Sequence, residues 1–131
     1  MNVVPIYAAL LALLFVALSM RTLRMRRSLR IAVGDAGNEA LLRAMRVHAN
    51  FAEYVPLALL LAFFAENRGA RPLVIHGLCV CLVIGRCVHA YGVSHVKENF
   101  RFRVFGMAMT FFSIIAAAIT LLLSYVGATG A

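Results

Sequence analysis

The stretch Val104-Phe-Gly-Met-Ala-Met-Thr-Phe-Phe-Ser-Ile-Ile-Ala-Ala-Ala-Ile-Thr-Leu-Leu-Leu-Ser-Tyr-Val126 runs for 23 residues without a charge. An α-helix needs roughly 20 apolar residues to cross a hydrocarbon core about 30 Å thick, so this segment reads as a membrane span. A second such run, Val3 to Met20, is interrupted only by Pro5 and Ser19. Between them lie Leu41 to Ala65, which carries Arg43, Arg46, Asn50 and Glu53, and Leu73 to Val93, which carries His76, Arg86 and His89. Breakers fall in the gaps at Gly34, Gly37 and Asn38, at Gly69 and Pro72, and at Ser94 and Asn99. The expected architecture is an all-α membrane protein: a single domain over 1–131 with four transmembrane helices near 3–28, 39–66, 72–94 and 100–126, packed as one bundle.

Composition agrees with that assignment. Of the 131 residues, 63% are hydrophobic and only 14% charged, against roughly 45–50% and about 25% in a soluble domain. Disorder is excluded, because it requires low hydrophobicity and high charge. The charge is nevertheless unbalanced, with 13 Lys and Arg against 5 Asp and Glu, a net of +8.

Part of that excess is topological. Positive charge in short loops marks the cytoplasmic face of a membrane. Arg21, Arg24, Arg26, Arg27 and Arg30 follow the first span, and Lys97, Arg101 and Arg103 precede the fourth. The middle connection holds only Arg68 and Arg71, beside Glu66. The expected orientation places 21–38 and 94–103 in the cytoplasm and both termini outside. No basic residue precedes Val3, so the first span reads as a retained helix rather than a cleaved signal. Nucleic acid is not an expected partner, since no soluble domain is present to carry a binding face; the lipid bilayer is.

The remaining ionisable residues lie within the spans, where a charge is expensive and usually marks function. At 100° per residue, Arg43, Arg46, Asn50, Glu53 and Tyr54 share an arc of roughly 100°, with His48 on the opposite side. Arg86 and His89 lie three apart in the third span, and Arg101 and Arg103 begin the fourth at the same depth. Pairing of Glu53 with Arg46 or Arg86 would neutralise one cation. Four or five cations converging inward on a single carboxylate instead call for an external anion. Arginine's planar fork suits a carboxylate or phosphate, and Glu53 would receive a ligand amine. An amino acid or small peptide carries that combination.

The helix-two string Arg43-Ala-Met-Arg46-Val-His-Ala-Asn50-Phe-Ala-Glu53-Tyr54-Val-Pro56 resembles the MAPEG family, the membrane-associated proteins in eicosanoid and glutathione metabolism. The family pattern R-x-x-x-N-x-x-E followed by Y-x-P is met by Arg46, Asn50, Glu53, Tyr54 and Pro56. Arg86 and His89 resemble its R-x-x-H in the third helix, and Arg103-Val-Phe-Gly106 its arginine at the start of the fourth. The connection at 34–38 looks most like the bacterial branch, which implies a bacterial inner membrane. The resemblance implies a homotrimer that binds glutathione, as co-substrate, between subunits near the cytoplasmic face. It assigns Arg46, Asn50, Glu53 and Tyr54 to glutathione, with Arg86 and His89 completing the pocket; Arg43, on the same face of the helix, is kept with them as a candidate ligand contact. It sets Arg103, with Arg101 as rival, beside the sulfur as the catalytic group. The activity implied is that of a glutathione-dependent transferase or peroxidase acting on hydrophobic small molecules. One departure is visible: where characterised members carry a tyrosine four residues after His89, this chain has Val93, and the nearby tyrosine is Tyr91, kept as a candidate ligand contact. A family-fold protein that binds a thiol, a lipid or a partner without catalysis is the alternative. A proton-coupled exporter fits poorly, because the arginines around Glu53 would repel a cationic cargo.

No metal site is expected. Cys79 and Cys81 point opposite ways on a helix, and with Cys87 they read as buried small hydrophobes. Gly77, Cys81 and Gly85 recur every fourth residue and read as a close-packing stripe. His48 and His76 are expected to be packing or interfacial residues.

Overall fold

A computed structural model describes residues 2–97 and 99–129, with side chains as far as residue 126. Met1, Glu98, Gly130 and Ala131, which the expected domain 1–131 and loop 94–103 include, lie outside the described residues. Among those described, the chain is all helical: α1 (Val4–Leu29), α2 (Glu39–Asn67), α3 (Pro72–Ser94) and α4 (Phe100–Thr129). All four are long and apolar enough to cross a membrane. The helix ends lie within three residues of the expected spans.

The local chemistry of the ends explains the boundaries. Pro5 and Pro72 lie in the first turns of α1 and α3, where the missing N–H has no helical partner to lose. Asn38 caps α2 by accepting from the Leu41 amide at 2.9 Å. Arg30 ends α1 in the left-handed region at φ 55°, and Gly34 and Gly37, at φ 70° and 75°, turn the chain back into α2. α1 has no capping side chain of its own. Its first amides, Val3 and Val4, donate instead to the Glu66 carboxylate at the far end of α2, the Val4 bond at 3.2 Å.

α1 is the peripheral helix. It buries one narrow seam, Val4, Leu11 and Leu18, at a seven-residue period, and packs mainly on α2. Midway along this contact, His48 of α2 stacks on Phe15 at 4.7 Å and bonds Ser19 through Nε2 at 2.9 Å. Near the α1 N-terminus, His76 of α3 meets the Tyr7 hydroxyl at 2.9 Å. α2 buries Leu41, Ala44, Val47, Phe51, Val55, Ala58, Ala62 and Ala65, a stripe spaced by threes and fours.

α3 and α4 form the tightest pair. Apolar side chains gain nothing by leaving lipid for one another, so close approach of small residues must hold such helices together. α4 turns Gly106, Thr110, Ser113 and Ala117 inward. A Cβ added at Gly106 would come within 2.7 Å of the Gly85 carbonyl and of His89, and one at Gly85 within 2.9 Å of the Gly106 carbonyl. Gly92 meets Phe102 in the same way. Ser113 donates across the pair to the Leu78 carbonyl at 2.9 Å. This contact differs from the expected stripe. Gly77 has open space around it and Cys81 is only half-buried, because α4 crosses the face defined by Gly85, His89 and Gly92. Cys79 is buried, whereas Cys87 is exposed. The loops after α1 and α3 share one end of the bundle, where Arg21 donates to Ser94.

Candidate functional site

At that same end, α2, α3 and the start of α4 enclose a cleft of about 280 Å³. Arg43, Arg46, Asn50 and Glu53 of α2 form one wall, a consequence of the three- and four-residue spacing that puts them on one face. His89 and Val93 of α3 and Arg103 of α4 close the other side. Six of the residues singled out in the sequence are therefore brought together. Glu39, missed by sequence reasoning, also lines the cleft and pairs with Arg43 at 3.1 Å. Its four-residue separation from Arg43 was the available signal.

The other candidates stand elsewhere. Arg86 lies behind the wall, 1% exposed, rather than in the cleft. Its Nη1 donates to Asn50 Oδ1 at 2.6 Å and its Nη2 to the Gly106 carbonyl at 3.4 Å, while Nε has no partner. Tyr54 turns toward α4, edge-on to Phe111 at 5.5 Å, with the Arg86 guanidinium 6.0 Å from its ring. Tyr91 is 60% exposed and packs on Phe102 and His95, away from the cleft. Arg101 is exposed and does not line the cleft, unlike Arg103.

Two expectations about this charge are corrected. The polar stripe does not face the closed interior of a single bundle: Arg46, Glu53 and Arg103 are exposed. α1 packs mainly on α2 through Val47, Phe51 and Val55, away from the face that carries them. Nor does one carboxylate oppose all the cations, since Glu39 joins Glu53. Among the described residues the cleft still holds three guanidinia against two carboxylates, with the Arg86 charge directly behind. Neither Glu53 nor Arg46 forms a hydrogen bond or ion pair there. No cluster of metal-ligating side chains occurs among the described residues.

A cationic cleft at one end of four membrane-length helices, walled by the Arg46, Asn50 and Glu53 pattern, is matched by a known family. The MAPEG family model covers residues 4–123. The chain belongs to the MAPEG family. Inner membrane protein YecN of Escherichia coli strain K12 is 38% identical over 110 residues, spanning 84% of this chain and 82% of that protein. YecN of Escherichia coli O6:H1 strain CFT073 matches to the same extent. This MAPEG chain is thus an integral membrane protein with relatives named for the bacterial inner membrane. The cleft occupies the part of the MAPEG match where α2, α3 and α4 converge.

Proposed function

We propose that the cleft binds glutathione and that the protein is a glutathione-dependent transferase or peroxidase acting on hydrophobic electrophiles. The composition of the cleft carries this reading. Glutathione has two carboxylates and one ammonium; Arg43 and Arg46 suit the carboxylates as planar donors, Glu53 suits the ammonium, and Asn50 donates or accepts. Arg86 contributes by holding Asn50 and by adding positive potential behind the wall.

Arg103 stands on the opposite side of the cleft from Glu53, where it would meet the thiol end. A thiol ionises near pH 8.5 in water, and an adjacent guanidinium lowers that value. The thiolate would attack an apolar electrophile entering from the bilayer: an S–C bond forms as the leaving group departs with its electron pair. The proton lost from sulfur passes to solvent at this end of the bundle.

The same reading includes a homotrimer and an orientation. Arg46, Glu53 and Arg103 are exposed in one chain at depths where lipid contact is costly. A second copy over the cleft would remove that cost and complete the pocket. In this reading the arginines that end α1, from Arg21 to Arg30, favour 21–38 and 94–103 on the cytoplasmic side and both termini outside.

One observation favours a second reading, ligand binding without turnover. The cleft has Val93 rather than a tyrosine, and Tyr91 points away from it. The deciding experiment follows the thiolate absorbance of glutathione added to purified wild type, Arg103→Ala and Arg101→Ala, and then turnover of aryl halides and lipid hydroperoxides. Loss of the thiolate band in Arg103→Ala alone supports the assignment. An unchanged band in both variants rejects it, and a band without turnover selects the binding-only reading.

A further inference from the structure

The corner where α1 meets its loop carries a shallow, open groove that shares no lining residue with the cleft. It has a volume of about 360 Å³ and is walled by Leu23, Arg26, Arg27, Arg30, Ile31 and Ala32. Three guanidinia and three apolar side chains share one concavity, with no carboxylate among its walls.

The guanidinia differ in their engagement. Arg26 is spent on the fold: its Nη1 donates to the Ala32 and Gly34 carbonyls at 3.3 and 2.9 Å, and its Nη2 lies 3.2 Å from Met45 Sδ. These bonds fix the loop that forms the groove's far wall. Arg27 and Arg30 make no side-chain hydrogen bond or ion pair among the described residues, and both are exposed. The left-handed turn at Arg30, φ 55°, folds Ile31 back so that its amide donates to the Arg26 carbonyl at 3.0 Å. That turn sets an apolar side chain beside two unsatisfied cations.

Depth identifies what would fill the site. The 26 residues of α1 make a helix of about 39 Å at 1.5 Å per residue, some 9 Å more than the hydrocarbon core. With Val4 at the opposite interface, the last six residues project into the head-group layer. Leu23 then lies at the level of the acyl chains, and Arg27 and Arg30 at that of the phosphates. Beyond them Val33 is 89% exposed, an apolar residue at the tip of the loop.

We propose that this corner is a binding site for one anionic phospholipid. Arg27 and Arg30 hold its phosphate as charge-assisted donors, and Leu23 and Ile31 contact the start of its acyl chains. General attraction of basic loops to an anionic surface depends on the number of charges and not on which arginine bears them. A built site depends on which. Arg24 supplies the control: it is exposed on the same turns of α1 but does not line the groove.

The test is native mass spectrometry of the full chain purified in detergent, where membrane orientation has no bearing, with added phosphatidylglycerol or phosphatidylcholine. Wild type should retain phosphatidylglycerol in preference to phosphatidylcholine. Arg27→Gln and Arg30→Gln should each weaken that retention about tenfold, the loss expected of one charge-assisted hydrogen bond. Arg24→Gln should leave retention within about twofold of wild type, since it removes only a distributed charge. Equal loss in all three variants, or equal retention of both lipids by wild type, overturns the proposal. Complete displacement of the lipid by millimolar inorganic phosphate overturns it as well, because the apolar walls would then contribute nothing.

Discussion

The guanidinium of Arg86 on α3 donates to the side-chain oxygen of Asn50 on α2 at 2.6 Å, tying the most deeply buried charge of the bundle to the wall of its cleft. Arg86 also reaches the Gly106 carbonyl of α4, so one side chain joins three helices. No carboxylate among the described residues contacts it, and its Nε is unsatisfied. A charge kept in that condition raises the positive potential behind the proposed glutathione site.

Stability and binding should therefore separate at this position. Replacing a buried charged group by an apolar side chain of similar volume is often neutral or stabilising. Arg86→Met is expected to change unfolding free energy by no more than about 1 kcal/mol. The same substitution should weaken glutathione binding at least about tenfold, because Asn50 loses its anchor and the cleft loses positive potential. Thermal unfolding in detergent beside a binding titration measures both. A parallel fall in stability and affinity would mean that Arg86 only holds the fold together.

Glycines in α3 and α4 should respond according to their neighbours. At Gly106 a new Cβ would meet the backbone of Gly85 and His89 at 2.7 Å, with no flexible group to give way. Gly106→Ala should cost about 1–3 kcal/mol or more through forced separation of the helices. Gly77 has open space, so Gly77→Ala should be neutral or stabilising by up to about 1 kcal/mol from helix propensity. Melting temperatures of the two variants, compared in one detergent, check the contrast.

Glu66 should control the first turn of α1 from the other end of α2. It receives the Val3 and Val4 amides of a helix that lacks its own cap. Glu66→Ala should cost about 1 kcal/mol, as does loss of a helix N-cap. Amide hydrogen exchange should quicken at Val3 and Val4 and remain unchanged at Leu18, about four turns further along the seam.

The legible part of this molecule was what periodicity along one helix fixes. The uncharged run 104–126 announces a span, and threefold and fourfold spacing puts Arg43, Arg46, Asn50 and Glu53 on one face without reference to any other helix. What escaped was rotation of one helix against another. Every fourth-residue spacing pointed to Gly77, Cys81 and Gly85, yet α4 settles against Gly85, His89 and Gly92, because Gly106 lets its backbone approach that of Gly85 and His89. That rotation carries Arg86 behind the cleft instead of into it, turns Tyr54 to Phe111, and leaves Tyr91 outside. Glu66 read as a loop acid beside Arg68 and Arg71, since a cap contributed from 62 residues away leaves no local pattern.

Whether the α2–α3–α4 cleft holds glutathione is decided by calorimetric titration of the purified protein with that ligand. Wild type should bind saturably, and Arg46→Gln and Glu53→Gln, neither of which loses a bond among the described residues, should each lower affinity about tenfold with unchanged melting temperature. Absence of binding at millimolar glutathione, or binding that both substitutions leave untouched, would show that the cleft is not a glutathione site.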